Sequence, residues 1–208
     1  MPRTFRLPAG LVALALAGWI GTALLMQGMA FMDGPGSIGS FLWLWIAMTA
    51  AMMLPSVAPA ASLATSVGRS GTVFVGAYLA LWLVTGVLAF EAARGLMGAG
   101  RWIAAGAILA AAAYQFSPLK DACLRRCRSP LGLLLRHGAF AAGLGHGVVC
   151  LGCCWALMLA LLALGVGSMF WMGAVAAAIF VEKVTGVGAR APAPVALALL
   201  GAAVWVAL

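Results

Sequence analysis

The chain has 208 residues, of which 65% are hydrophobic and 8% are charged, and its mean hydropathy is +1.14. Because soluble domains carry about 25% charged residues, this composition excludes an ordinary water-soluble globule. The formal net charge is +8, yet the sequence has no phosphate-binding glycine loop and no nucleic-acid module. We therefore attribute the charge to membrane topology and anionic lipid, not to nucleic acid. We predict an all-α protein with one integral membrane domain over residues 1–208.

Uncharged apolar runs predict a transmembrane bundle of six to seven spans, since one span needs about 20 apolar residues. The long run Gly138–Val181 must hold two helices, and the turn between them is predicted at the glycine-rich residues 165–168. The last segment is short and also fits a tilted or re-entrant piece. In chain order the predicted segments are 11–29, 38–57, 72–92, 102–117, 139–164, 168–182 and 194–208.

The basic residues predict a cytoplasmic N-terminus, because Lys and Arg concentrate in cytoplasmic loops. With this orientation ten of the 12 basic residues lie inside, and Arg94 and Arg101 lie outside. The first apolar run follows Arg3 and Arg6 as in a secretory signal. It is longer than a signal peptide, so we interpret it as an uncleaved first helix.

A stripe of metal-ligand residues lies in the fifth predicted segment. On a helix His146, Cys150 and Cys153 fall within roughly 60° of one another, and Cys154 and Met158 continue along the flank of that face. Thiolate and imidazole suit Cu(I) and Zn(II), and thioether suits copper as well. The alternative is simple packing, because Cys packs well between membrane helices. An intramembrane His, however, is a functional candidate by default.

A second stripe consists of methionines in the second predicted segment. Met48 and Met52 are four residues apart and share a helix face, and Met53 follows directly. Pro55 and Pro59 predict a kink or break that frees backbone carbonyls. The predicted topology puts these methionines at the depth of the cysteine stripe, so the two stripes could face each other. Gap-filling in the core is the alternative role for Met.

A third feature is the pair Cys123 and Cys127, which share one face of a short helix predicted between Pro118 and Pro130. The pair lies in the most basic cytoplasmic loop. Such a pair suits a handover site for a soft metal, or a redox pair. The alternative is an amphipathic interfacial helix whose cysteines dip into lipid.

The carboxylates give no support to a catalytic role. Asp33, Glu91, Asp121 and Glu182 all lie near segment ends, so no general acid/base pair sits at depth. We predict no catalytic residue, and an enzyme is not favoured. We interpret Glu182 and the adjacent Lys183 as an interfacial ion pair.

Four runs of the sequence resemble, in the same order over residues 38–185, an uncharacterised bacterial family of predicted metal-binding integral membrane proteins. The His146–Met158 run is the most specific of the four. The resemblance implies a multi-pass protein of the bacterial inner membrane that binds a metal. The other three runs are Ala50–Ser56, Tyr114–Pro130 and Glu182–Lys183.

We predict a membrane protein that binds Cu(I) and moves it or hands it over. Zinc is the second choice of metal, because thioethers in reach favour copper. The expected partners are the lipid bilayer and either a membrane protein or a metal donor or acceptor protein. Two other functions stay open, a structural subunit of a membrane complex and a thiol–disulfide oxidoreductase built on the Cys150/Cys153 spacing. The predicted metal ligands are His146, Cys150, Cys153, Cys154, Met158, Met48, Met52, Met53, Cys123 and Cys127.

Overall fold

A computed structural model describes residues 9–29, 37–98, 100–165, 168–184 and 192–208, and all secondary structure within these ranges is helical. The predicted all-α class is therefore confirmed. The described helices are, in chain order, α1 (Ala9–Met29), α2 (Ile38–Ser66), α3 (Gly71–Gly98), α4 (Arg101–Tyr114), α5 (Pro118–Arg128), α6 (Leu131–Arg136), α7 (Ala139–Leu164), α8 (Met169–Val184) and α9 (Pro192–Ala207).

Four of the described helices, α1, α2, α3 and α7, are long and apolar enough to cross a membrane. Helices α4 and α5 qualify together but are bent by 64° at their junction, so they add at most one more span. Helices α8 and α9 have 16 residues each. At 1.5 Å per residue each is about 24 Å long, which is shorter than a hydrocarbon core of about 30 Å. The described residues thus give four or five candidate spans, and the six to seven spans and the N-terminal orientation are not confirmed.

Helix α2 continues through both of its prolines, where the sequence predicts a kink or a break. It runs for 29 residues with Pro55 and Pro59 inside it. The residues on either side of Pro55, Leu54 and Ser56, are buried. Packing by neighbouring helices lets a membrane helix continue through a proline although the proline has no N–H donor.

Helix α7 is the centre of the fold and packs against α3, α4, α5 and α8. Its glycines allow this close packing: a Cβ atom at Gly143 would collide with the backbone carbonyl of Phe74 on α3. The helix ends at Leu164, and α8 begins at Met169, so the break falls where the sequence predicts a turn. The short helices α5 and α8 both pack against the stripe of α7 that carries the cysteines.

Candidate metal centre

The stripe on α7 faces the protein interior. His146, Cys150 and Cys153 are all buried, with at most 2% of each residue exposed. The helical period puts them on one side of α7, as the sequence predicts. Helices α3 and α5 cover this side. The stripe therefore lines the packed core and does not face the exposed surface.

Helix α5 brings a third cysteine to the same place. It begins at Pro118, behind Ser117 as N-cap, and its residues Lys120, Leu124 and Cys127 form the buried face. The Cys127 Sγ lies 3.9 Å from the His146 Nε2. The two features that the sequence presents separately, the core stripe and the loop cysteines, thus meet in one site.

The donor atoms fit a soft metal ion. The Sγ atoms of Cys127, Cys150 and Cys153 all lie within 4.8 Å of one another. Two metal–sulfur bonds of about 2.3 Å span at most about 4.6 Å, so small side-chain movements would let all three sulfurs reach one ion. His146 Nδ1 is buried and has no hydrogen-bond partner among the described residues. Thiolates with an imidazole are the donor set that copper and zinc prefer in proteins.

A buried lysine, which is not among the predicted ligands, touches one sulfur of this group and two sulfurs beside it. Lys183 Nζ lies 2.8 Å from the Cys150 Sγ, 3.9 Å from the Cys154 Sγ and 3.8 Å from the Met53 Sδ. The Tyr78 hydroxyl lies 2.9 Å from the Cys150 Sγ on the α3 side. One sequence feature could have indicated Lys183: it is an ionisable residue next to a long apolar segment, and such residues are functional candidates.

The predicted ion pair between Glu182 and Lys183 is wrong, because the two side chains have different partners. Glu182 pairs with Lys120 of α5, whose Nζ lies 2.8 Å from both carboxylate oxygens, and both side chains are buried. Arg128 donates a hydrogen bond from its Nε to the Glu182 carbonyl over 2.8 Å. Successive residues on a helix point about 100° apart, so adjacent side chains face different neighbours. These contacts fasten α5 to α8 and so position Cys127.

The two remaining cysteines lie at the edge of the three-sulfur group. Cys154 is buried and donates a hydrogen bond from its Sγ to the Cys150 carbonyl at 2.9 Å. Cys123 is half-buried and lies against the bare backbone of Gly152. A Cβ atom at Gly152 would lie 2.6 Å from the Cys123 Sγ. Gly152 directly precedes Cys153, so Cys123 sits between the protein surface and the sulfur group.

The structure separates the predicted methionines. Met53 is fully buried and lies beside the sulfurs through its contact with Lys183. Met48 and Met52 are buried in the same core on α2. Met158 lies one turn beyond Cys154 and lines a lateral apolar cavity of about 460 Å³. Of the four methionines, Met53 is the one with a described contact to Lys183, the lysine that touches the Cys150 sulfur.

The described residues form a helical protein with several membrane-length apolar helices and a buried cluster of three cysteines that is compatible with metal binding. A family model described as PpoB2, a copper chaperone, matches residues 42–206, which is about four-fifths of the chain. The chain therefore belongs to the PpoB2 copper chaperone family. No curated protein and no solved structure matches it. The matched range includes all five cysteines, and the match supports copper and gives no support to zinc.

Proposed function

We propose that this chain is an integral membrane protein of the bacterial inner membrane that binds Cu(I) and hands it to an acceptor protein. The observation that carries the proposal is the buried group of three cysteine sulfurs, Cys127, Cys150 and Cys153, within 4.8 Å of one another. The chain's membership of a copper chaperone family supports copper as the cargo. Four long apolar helices support insertion into a bilayer.

The ligand set suits Cu(I) for a chemical reason. Thiolate and thioether sulfurs are soft donors, which select Cu(I), and imidazole also suits copper. His146 is the nearest nitrogen donor, since its Nε2 lies 3.9 Å from the Cys127 Sγ. Met53 and Cys154 are second-rank donors beside the three cysteines, and we place Met48, Met52 and Met158 further from the ion.

Cys123 supplies a route for handover. It is the half-buried cysteine of the set, and its Sγ packs against Gly152, next to Cys153. Copper on Cys123 would be accessible to a partner's thiol and one ligand exchange away from the buried group. We propose that a metal donor or acceptor protein docks against the exposed side of α5 and exchanges copper through this sulfur.

Metal content tests the binding site. Purified, reduced protein in detergent should hold about one copper per chain by elemental mass spectrometry, because the three sulfurs form a single site. Cys150→Ala combined with Cys153→Ala should abolish retention, and Cys127→Ala should weaken it strongly. Met158→Leu is the control and should keep its copper, because Met158 is buried on the same helix but lines the lateral apolar cavity instead.

Two results would overturn the proposal. Copper content unchanged in the folded double variant would show that these sulfurs do not bind the ion. Wild-type protein without copper, after reconstitution with Cu(I) under reducing conditions, would exclude a copper site in the chain. Helical content by circular dichroism shows that each variant is folded before its metal is counted.

A further inference from the structure

We infer that Lys183 is a positioning residue of the copper site, which holds the Cys150 sulfur and supplies the positive charge that two copper-bound thiolates require. The inference rests on the proposed copper function and adds a residue that lies outside the predicted ligand set. It also specifies the form of the cargo complex, a Cu(I) ion bound by two thiolates beside a fixed ammonium group.

The described contacts of the ammonium group are all with sulfur atoms. Lys183 is 8% exposed, and its Nζ contacts the sulfurs of Cys150, Cys154 and Met53 at 2.8–3.9 Å. Within the described ranges no carboxylate lies at salt-bridge distance from it. The adjacent Glu182 is held by Lys120 instead. Since a buried charge must be paired, the cysteine sulfurs are the groups available to balance this lysine.

Charge balance then sets the number of thiolates. One ammonium and one Cu(I) carry two positive charges, and two thiolates cancel them, so the third cysteine of the group stays a neutral thiol. His146 and Met53 are neutral donors and leave this sum unchanged. With a neutral residue at position 183, the same two-thiolate complex would carry a net negative charge in a buried site. A buried net charge is costly, so the variant must bind copper more weakly or with fewer thiolates.

Two further contacts hold this arrangement in place. Tyr78 reaches the Cys150 Sγ from α3 at 2.9 Å, so a hydroxyl and an ammonium group both contact the same sulfur. The Lys120–Glu182 pair fixes the end of α8, and with it the backbone of Lys183. Partners that orient a ligand in this way typically change metal affinity about 10–100-fold when they are mutated.

The test compares Lys183→Leu, which keeps a similar side-chain volume, loses the charge and adds no sulfur, with Lys183→Arg, which keeps the charge. Cu(I) affinity is measured by competition with a chromophoric Cu(I) chelator, and the sulfur atoms around copper are counted by X-ray absorption. We expect binding about 10–100-fold weaker for Lys183→Leu, with fewer sulfurs and more nitrogen around the ion. Lys183→Arg should restore most of the affinity and the wild-type sulfur count.

The possible results separate this inference from the proposed function. Wild-type protein that binds no Cu(I) overturns both. Wild-type protein that binds Cu(I), together with unchanged affinity and sulfur count in Lys183→Leu, overturns only the role of Lys183. Equal weakening in the Leu and Arg variants with an unchanged sulfur count also overturns it, because packing and not charge would then explain the loss. Tyr78→Phe, which removes one hydroxyl, should weaken binding less than Lys183→Leu and keep the wild-type sulfur count.

Discussion

The buried pair of Lys120 and Glu182 should be a major determinant of stability, and Lys120→Met tests this. The substitution removes the ammonium group that lies 2.8 Å from the Glu182 carboxylate and leaves that carboxylate buried. The side chains are 1% and 2% exposed, so water cannot replace the lost partner. Removing one member of a buried pair costs about 3–5 kcal/mol, and we expect a loss of this size in the free energy of unfolding.

An exposed pair on the same helix provides the control. Arg125 and Asp121 of α5 also form an ion pair, but their side chains are 67% and 62% exposed. Because exposed pairs contribute about 0–1 kcal/mol, Arg125→Met should have little effect. Both variants exchange a cation for Met on the same 11-residue helix, so the comparison isolates burial.

Chemical denaturation in detergent micelles, followed by tryptophan fluorescence, measures the two losses. The double variant Lys120→Met with Glu182→Leu should recover most of the stability, since an apolar pair can replace a buried ion pair at little cost. If Lys120→Met and Arg125→Met lower the free energy of unfolding equally, burial of the Lys120–Glu182 pair does not determine stability. A double variant less stable than Lys120→Met alone would contradict that role of burial as well.

Two further predictions concern the handover route and the membrane. Gly152→Ala should slow copper uptake severalfold at an unchanged copper content per chain, because the new Cβ atom would lie 2.6 Å from the Cys123 Sγ and force that sulfur to move. Stopped-flow copper loading measures the rate, with Gly106→Ala as the control because its Cβ would meet no atom within 4 Å. Equal rates in the two variants would contradict the handover route. The wild-type chain should also stay with the membrane pellet after alkaline carbonate extraction, because four described helices have membrane length and hydropathy; release into the supernatant would exclude integral insertion.

Local periodicity is the part of the site that the sequence predicts well. The residues His146, Cys150 and Cys153 share a face because helix geometry alone determines it. The helix carrying Cys127 is likewise predicted, since Pro118 and Pro130 mark its ends. Neither inference needs any knowledge of how helices pack against one another.

Packing between helices is the part that the sequence does not determine. The contact between Cys127 and His146 depends on α5 turning by 64° after α4, and no pattern in the chain gives that angle. The partners of Glu182 and Lys183 depend on the rotation of α8 about its axis. The same holds for the methionines, whose spacing gives a shared face but not the neighbour that this face contacts.

Under the proposed copper transfer, the placement of Cys127 on a short helix has a thermodynamic consequence. One sulfur of the site belongs to the polar helix α5, and the others belong to the central helix α7. Under the proposed function, copper bound to both helices stabilises the docked form of α5, by about 2.7 kcal/mol when free Cu(I) is 100 times its Kd. By linkage, an acceptor that draws α5 away from α7 lowers the copper affinity by the same factor by which bound copper lowers the affinity for that acceptor. The docking energy of the acceptor would then be the driving force for release.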